Sequence, residues 1–386
     1  MSTLQLFATA AKGTEGALRD ELRELGIRGV RADRGGVHFT GDLSTALGAC
    51  LWSRVAIRVL CELDRFPCAH EDALYDGVSA IDWPSWIDPS QTLAVRAASR
   101  GSALSHTQFV AQRTKDAVVD RIRERTGARP SVDRDAPDLL LFVHLVNDEA
   151  TLYADASGAS LHARGYRPRG SSEAAPLKES LAAAMLRLSG WDREAPLCDP
   201  MCGTGTIGIE AALWAAGAPA NAHRKRFGVE GWGVATEVDR TAFRQIREEA
   251  RDAAAAARGK TPMEILLRDI DPSAIAMTEE AVATSGVQVR VVRGAAADLD
   301  ADDAPGFLVT NPPYGERLPL GDAARDLGRV IRARGERPSV VLAGAPVILD
   351  AIGRPLRSHE LHNGDLSCRL LSYGSIPEKK APRRRA

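Results

Sequence analysis

Leu197-Cys198-Asp199-Pro200-Met201-Cys202-Gly203-Thr204-Gly205-Thr206-Ile207-Gly208-Ile209-Glu210-Ala211-Ala212-Leu213-Trp214 is the stretch on which the reading of the fold turns. A short strand ends at Cys198, a glycine turn follows, and Ile207, Ala211 and Trp214 then recur on one helical stripe that Gly217 can close. Open α/β sheets bind ligands at such a strand–turn–helix, outside the carboxyl ends of the strands. Gly203 and Gly205 let the backbone pass close to a ligand with no Cβ in the way, and the helix start offers free N–H groups. A pyrophosphate is one occupant to consider, and Gly208 falls three beyond Gly205. Asp199-Pro200, however, is foreign to dinucleotide binders. An acid there can receive the ammonium of an amino-acid moiety, which a dinucleotide lacks. A tight turn with no ligand is the plain alternative. Asp199, Pro200, Met201, Cys202, Gly203, Thr204 and Gly205 are therefore assigned to a methionine-type cofactor.

Around this loop, strand and helix alternate. Candidate strands are Pro196–Cys198, Glu264–Leu267, Val287–Val292, Phe307–Thr310 and Val340–Ala343, with a helix over Asp239–Arg258. Alternation of this kind points to a mostly parallel sheet covered on both faces. Leu356–Leu361 and Leu366–Tyr373 flank Asn363-Gly364, a hairpin signal. A ribose is normally held by an acid at the end of the next strand. Here that strand is Ile265–Asp269, so Ala218–Pro262 is an insertion and Asp269, followed by Ile270, is the ribose acid. Asp269 and Asp271 can equally cap the helix Pro272–Ala283.

Upstream lie two smaller α+β units. The first has strands at Leu4–Phe7, Gly36–Phe39 and Val55–Leu60, and a helix carrying Leu18, Leu22 and Leu25 up to Gly26. The second has a strand at Thr92–Ala97, a helix at Ser105–Arg125 and a hairpin of Leu139–Val146 and Ala150–Ala154 about Asn147-Asp148. Residues 158–175, rich in Gly, Ser, Arg and Pro, have the composition of a linker. Over all 386 residues the formal charge is −1, so nucleic-acid binding gains no support from the average. Locally, His223–Arg226, the group Arg164, Arg167 and Arg169, and the tail Lys379–Arg385 are basic clusters that can meet RNA or simply be solvated. Six cysteines without a C-x-x-C pair argue against zinc or a disulfide scaffold and fit a reducing cytosol. No apolar stretch reaches the ~20 residues that span a bilayer, and no basic stretch precedes an apolar block at the N-terminus. A cytoplasmic protein with no membrane and no metal is expected.

Phe307–Thr310 leads into Asn311-Pro312-Pro313-Tyr314-Gly315. Two prolines end the strand rigidly, remove two donors and leave carbonyls as acceptors. The Asn311 side-chain oxygen and the Pro312 carbonyl can both accept from one NH₂ group. Holding both hydrogens turns the nitrogen lone pair toward a sulfonium methyl and offsets the positive charge that develops on attack. Tyr314 offers a flat face for stacking a base that has been flipped out or is single-stranded. Asn311, Pro312, Pro313 and Tyr314 are the candidate catalytic residues, with Asn311 also facing the cofactor. A plain turn is the bland reading of the same tetrapeptide.

Asp199–Gly205 together with Asn311–Arg317 resembles the class I methyltransferases that modify exocyclic or amide nitrogens. Val132–Asp138, the hairpin after it and Asp155–Arg167 resemble a THUMP domain and its exit. From Phe7 to Tyr373 the chain is similar to the bacterial 23S ribosomal RNA guanine-N2 methyltransferase family. The resemblance implies a ferredoxin-like domain (1–64), an RNA-capturing THUMP domain (65–157), a linker (158–175), a Rossmann-like methyltransferase domain (176–378) and a basic tail (379–386). It also implies S-adenosyl-L-methionine as cofactor and guanine N2 of 23S ribosomal RNA, or of its precursor particle, as target. Some members carry a second methyltransferase domain; with its end at Ala386, this sequence is expected to be the single-domain form. The resemblance further implies that Pro176–Ala182 lines the methionine end, while Lys178 can be a surface residue. The wider class binds the adenine amino group with an acid after the third strand. Here Arg293-Gly294-Ala-Ala-Ala-Asp298 has alanine after the glycine, and Asp298 is the substitute. A transfer RNA guanine-N2 methyltransferase, an adenine-N6 DNA methyltransferase and a noncatalytic RNA-binding assembly factor are the competing readings.

Overall fold

The computed structural model describes residues 3–167, 177–260, 263–300, 306–313 and 320–376. Its first half contains β1 (Leu4–Thr9), α1 (Glu15–Glu24), β2 (Arg28–Asp33), β3 (Gly36–Gly41), α2 (Leu43–Trp52), β4 (Arg58–Pro67), α3 (Glu71–Ser79), β5 (Thr92–Arg100), α4 (Thr107–Thr126), β6 (Ser131–Val132), β7 (Leu139–Val146) and β8 (Glu149–Asp155). These strands make one eight-stranded sheet in the order β2-β3-β1-β4-β8-β7-β5-β6. Alternate residues such as Leu6, Ala8, Val37, Phe39, Val59, Cys61, Leu141 and Val143 turn to one face and share a core with the helices. Asn147 and Asp148, with φ of 52° and 61°, make the two-residue turn that the hairpin needs.

Both α+β units therefore lie in one sheet. The strand β4 joins them, pairing with β1 over Arg58–Cys61 and with β8 over Leu60–Pro67. The division placed at 64/65 falls inside this strand. The strand expected from Val55 starts only at Arg58, because the Glu21 carboxylate takes the preceding N–H groups. Arg54 N and Val55 N each donate to it at 3.0 Å.

The second half contains α5 (Glu179–Leu188), β9 (Leu197–Asp199), α6 (Thr206–Ala215), α7 (Glu237–Ala257), β10 (Ile265–Asp269), α8 (Pro272–Ser285), β11 (Arg290–Arg293), β12 (Phe307–Thr310), α9 (Leu320–Ala333), β13 (Ser339–Ala343), α10 (Pro346–Ile352), β14 (Arg357–Asn363) and β15 (Leu366–Tyr373). Its seven strands run β11-β10-β9-β12-β13-β15-β14, parallel except for β15, which is antiparallel to β13 and β14. Two apolar layers cover the faces, one built on Leu181, Ile207, Leu267 and Val309, the other on Leu308, Leu327, Val341 and Ile348. This is an open, mostly parallel α/β sheet covered on both faces, as the strand–helix alternation predicts. Strand order reverses between β9 and β12, so their carboxyl ends open on one crevice.

The insertion after α6 is what fastens the two halves. Asn221 N donates to Leu51 O (3.0 Å), Val229 N to Ala156 O (3.1 Å) and Gly233 N to Trp86 O (2.9 Å). Trp232 packs on Trp86, and Phe227, Val229, Phe243 and Ala250 join the core beneath the N-terminal sheet.

Two of the basic clusters are absorbed by the same junction. Arg164, 4% exposed, bonds the carbonyls of Leu161 and Arg54 and Asn221 Oδ1, so it is a joint of the fold and not an RNA contact. Arg224 donates to the Ala159 and Ser160 carbonyls, and Arg226 pairs with Asp138 at 3.3 Å. Lys225 is exposed. Arg169 and the basic tail lie outside the described residues.

Arg54 crosses the junction as well. Its guanidinium lies 3.4 Å from Glu210 Oε2 on α6 and donates to the Leu213 and Ala218 carbonyls at the end of that helix. Burial lowers its pKa to about 10, leaving it charged at neutral pH. Arg54→Ala removes one of the two cations facing the fully buried Glu210, which keeps Tyr166 Oη and Arg164, and takes this donor from the Leu213 and Ala218 carbonyls; it is expected to cost about 3 kcal/mol, read from the urea midpoint. An unchanged midpoint would show that the pair holds nothing together.

Candidate active site

Three consecutive strand ends supply the site. The chain leaves β9 at Asp199, which is 1% exposed. Its Oδ1 accepts from Thr310 Oγ1 (2.7 Å) and from Met201 N (3.3 Å). Burial pushes its carboxyl up to about 7; the two hydrogen bonds oppose the rise and the charge of Asp269 adds to it. The loop is then pinned from both sides: Cys202 N donates to Arg268 O, Gly203 N to Asp269 Oδ2 (2.8 Å), and Thr278 Oγ1 to Gly203 O (2.7 Å). The Cys202 thiol is buried and its pKa raised, so it stays protonated.

The glycines divide the work. Gly203, at φ 54°, has open space where a Cβ would stand, so the loop is a cradle there. A Cβ on Gly208 would come within 2.2 Å of Leu267 Cδ2, so this glycine lets α6 lie against β10. Pro200 and Thr204 complete the turn.

The two acids after β10 have separate tasks. Asp271 caps α8, accepting from Ser273 N at 2.8 Å, whereas Asp269 reaches back to Gly203 and also accepts from Asp271 N (3.0 Å). Each Asp269 oxygen keeps a second lone pair for a ligand hydroxyl. Burial raises the Asp269 carboxyl. Ile270 beside it is 56% exposed, an apolar surface next to the acid. Asp298 is well exposed, 3.8 Å from Arg268 Nη2. A buried acid for an ammonium, an open glycine cradle, a second acid and an apolar side chain together fit an adenosyl amino acid.

Asn311 follows β12 directly; Asn311 and Pro313 are half-buried and Pro312 is buried. Tyr314 lies outside the described residues. Residues 311–313 thus share the crevice with the glycine loop, joined to it through the Thr310–Asp199 hydrogen bond. Thr310 and Thr278 were missed by sequence reasoning. A hydroxyl in the buried run Phe-Leu-Val-Thr310, just ahead of Asn311, was the available signal for the first. Among the described residues, no group of three or more His, Cys, Asp or Glu could hold a metal ion, and no helix is long and apolar enough to cross a membrane.

Residues 5–60 match the RlmL ferredoxin-like domain, 68–155 the THUMP domain and 164–340 the RMKL-like methyltransferase domain. A solved structure from Listeria monocytogenes, described as a predicted N6-adenine-specific DNA methylase, is 30% identical at a TM-score of 0.84 and covers 97% of this chain and 96% of its own. The chain belongs to the THUMP-containing, RMKL-like methyltransferase family. The solved structure of SMU.472, named a methyltransferase and complexed with SAH, is similar at a TM-score of 0.85 and 28% identity, with coverage of 98% of this chain and 100% of its own. The ribosomal RNA large subunit methyltransferase K/L of Methylococcus capsulatus is 41% identical over 98% of this chain. The chain spans about half the length of the curated relatives it matches: 52% of that protein and 53% of its Syntrophotalea carbinolica counterpart.

Proposed function

We propose that this family member is a cytoplasmic S-adenosyl-L-methionine-dependent RNA methyltransferase that modifies guanine N2 in 23S ribosomal RNA or its precursor particle. The observation that carries the reading is the 2.7 Å bond from Thr310 to Asp199, which ties the strand end bearing Asn311 to the acid of the glycine loop. The amino-acid end of the methyl donor would lie on Asp199 and the turn Pro200–Gly205, its ribose on Asp269, its adenine against Ile270, with Asp298 as acceptor for the adenine amino group. Bound there, this cofactor supplies an activated sulfonium methyl. The chain's own part is to present the nucleophile. Asn311 Oδ1 and the Pro312 carbonyl accept the two hydrogens of an exocyclic NH₂, Pro313 stiffens that turn, and Tyr314 stacks the base. The N–CH₃ bond would form as the S–CH₃ bond breaks, with S-adenosylhomocysteine as leaving group; the methylated nitrogen is then acidic enough to lose its extra proton to water, so positioning and charge stabilisation suffice with no strong base required.

RNA is favoured as substrate by the THUMP match and by the names of the K/L relatives. The Listeria relative's name favours adenine in DNA. The two are separated by tritiated methyl transfer to ribosomal RNA, transfer RNA and DNA from cells lacking the gene, followed by nucleoside mass spectrometry. N2-methylguanosine in 23S RNA is expected. N2-methylguanosine confined to transfer RNA, or N6-methyladenine in DNA, would overturn the substrate and spare the chemistry. No transfer to any of them would leave an RNA-binding assembly factor.

A further inference from the structure

The first turn of α6 serves the glycine loop, and its far end opens on a cavity of about 390 Å³, within the size range of small-ligand sites. The helix is 10 residues long, roughly 15 Å, so the cavity stands apart from the crevice. Alanines hollow it out. Ala254 and Ala257 of α7, with Ala218, Pro219 and Ala220 at the start of the insertion and Val287 after α8, make an apolar floor. Close-packed interiors seldom leave such space unfilled.

The charged side chains on its wall are all cationic, in a chain whose formal charge is −1. Arg164 is engaged with Glu210, 3.5 Å away. Arg251 and Arg258 are exposed, and among the described residues neither makes a hydrogen bond or an ion pair. They stand seven positions apart on one face of α7 and its C-cap, with Ala254 between them. Two glycines make room at this wall. A Cβ on Gly286 would lie 3.3 Å from Arg258 Cγ, and one on Gly165 would lie 3.0 Å from His223 Cδ2. Three helices also end here, α6 at Ala215, α7 at Ala257 and α8 at Ser285. The last carbonyls of a helix have no intrahelical donors. An anionic hydrocarbon would leave them unbonded. A nucleobase brings them ring and amino N–H groups and lays a flat face on the alanines, while its phosphate answers the two guanidinium groups.

We propose that this cavity is a second ligand site, for a nucleotide, with the base on the alanine floor and the phosphate on Arg251 and Arg258. A free nucleoside monophosphate and one residue of a bound RNA strand present the same chemistry. The site is independent of the cofactor reading, because its wall shares no residue with the glycine loop or the strand ends of the crevice.

The test is calorimetric titration of the whole chain with GMP, guanosine, inorganic phosphate, laurate and a short single-stranded oligoribonucleotide, with and without saturating S-adenosylhomocysteine. GMP is expected to bind at least about tenfold more tightly than guanosine or phosphate, and S-adenosylhomocysteine is expected not to displace it. Arg251→Met and Arg258→Met, both at exposed positions, are each expected to weaken GMP about tenfold and to change guanosine less than about twofold. Ala254→Trp, which fills the floor, is expected to weaken GMP and guanosine alike. An oligoribonucleotide that depends on the same two arginines and outcompetes GMP would identify the nucleotide as part of RNA; one that does not compete would identify it as free. Phosphate or laurate binding as tightly as GMP would overturn the proposal, as would arginine variants that bind like the wild type. So would displacement of GMP by S-adenosylhomocysteine, or a wild type that binds neither GMP nor the oligoribonucleotide.

Discussion

Asn311→Ala is expected to lower kcat for methyl transfer by about a thousandfold while S-adenosylhomocysteine binds within about threefold of wild type. The exocyclic amino group of a base is a weak nucleophile, because its lone pair is delocalised into the ring. Two acceptors on its hydrogens favour a pyramidal nitrogen, withdraw the lone pair from conjugation with the ring and offset the positive charge as it grows. With alanine at 311, the Pro312 carbonyl alone remains, and one hydrogen is left to water. Removing one oriented partner of a developing charge costs about 10²–10³ in rate. The amino-acid cofactor contacts sit elsewhere, on Asp199 and the glycine turn, so binding should survive. Single-turnover transfer on the RNA substrate and calorimetry with S-adenosylhomocysteine measure the two effects separately. Loss of binding in parallel with rate would move Asn311 into the cofactor site and out of the chemistry. Undiminished transfer would dismiss the tetrapeptide altogether.

The strands that carry the site were legible because each is a short apolar run that ends in a residue with a distinct task. Phe307–Thr310 ends at Asn311, Leu197-Cys198 at Asp199, and Ile265–Leu267 at Asp269. What could not be read was tertiary. The helix α2, Leu-Ser-Thr-Ala-Leu-Gly-Ala-Cys-Leu-Trp, buries Leu43, Ala46, Leu47, Ala49, Cys50 and Leu51 on several sides, so it shows no amphipathic stripe. Residues 218–262 look like a detour in the sequence, and their role as the clasp between two sheets depends on partners more than 130 positions upstream, such as Leu51 and Trp86. The composition of residues 158–175 suggested a solvated linker, yet Arg164 and Tyr166 are buried. Arginine in a glycine-rich stretch reads as surface until a buried acid such as Glu210 is found beneath it. The shared strand β4 was hidden for a similar reason. One strand edge serves β1 and the other β8, and no local pattern reports a strand's two partners.

Replacing Asp199 with asparagine is expected to weaken S-adenosylhomocysteine about a hundredfold at pH 8 and to flatten the pH dependence of what remains. In the wild type the ligand's ammonium requires the carboxylate, and the carboxyl is held up to about 7 by burial, opposed by Thr310. Wild-type affinity should therefore peak near pH 8, fall roughly tenfold per unit below about pH 7 as protons compete for the site, and fall again at alkaline pH as the ligand's own ammonium loses its proton. Asp269 is raised in the same direction and lies in the same crevice, so Asp269→Asn is the control that should keep most of the slope. Stability of the free chain runs the other way. A carboxyl whose folded pKa lies above its unfolded value contributes stability that is fully present below the unfolded pKa near 4 and is lost as pH rises through about 7. From pH 5 to 8, melting temperatures should fall for the free chain through this group, while the increment added by saturating ligand should grow. Asp199→Asn should remove both trends together. A variant that keeps the binding slope would place the ammonium on another acid, with Glu179 the first to examine.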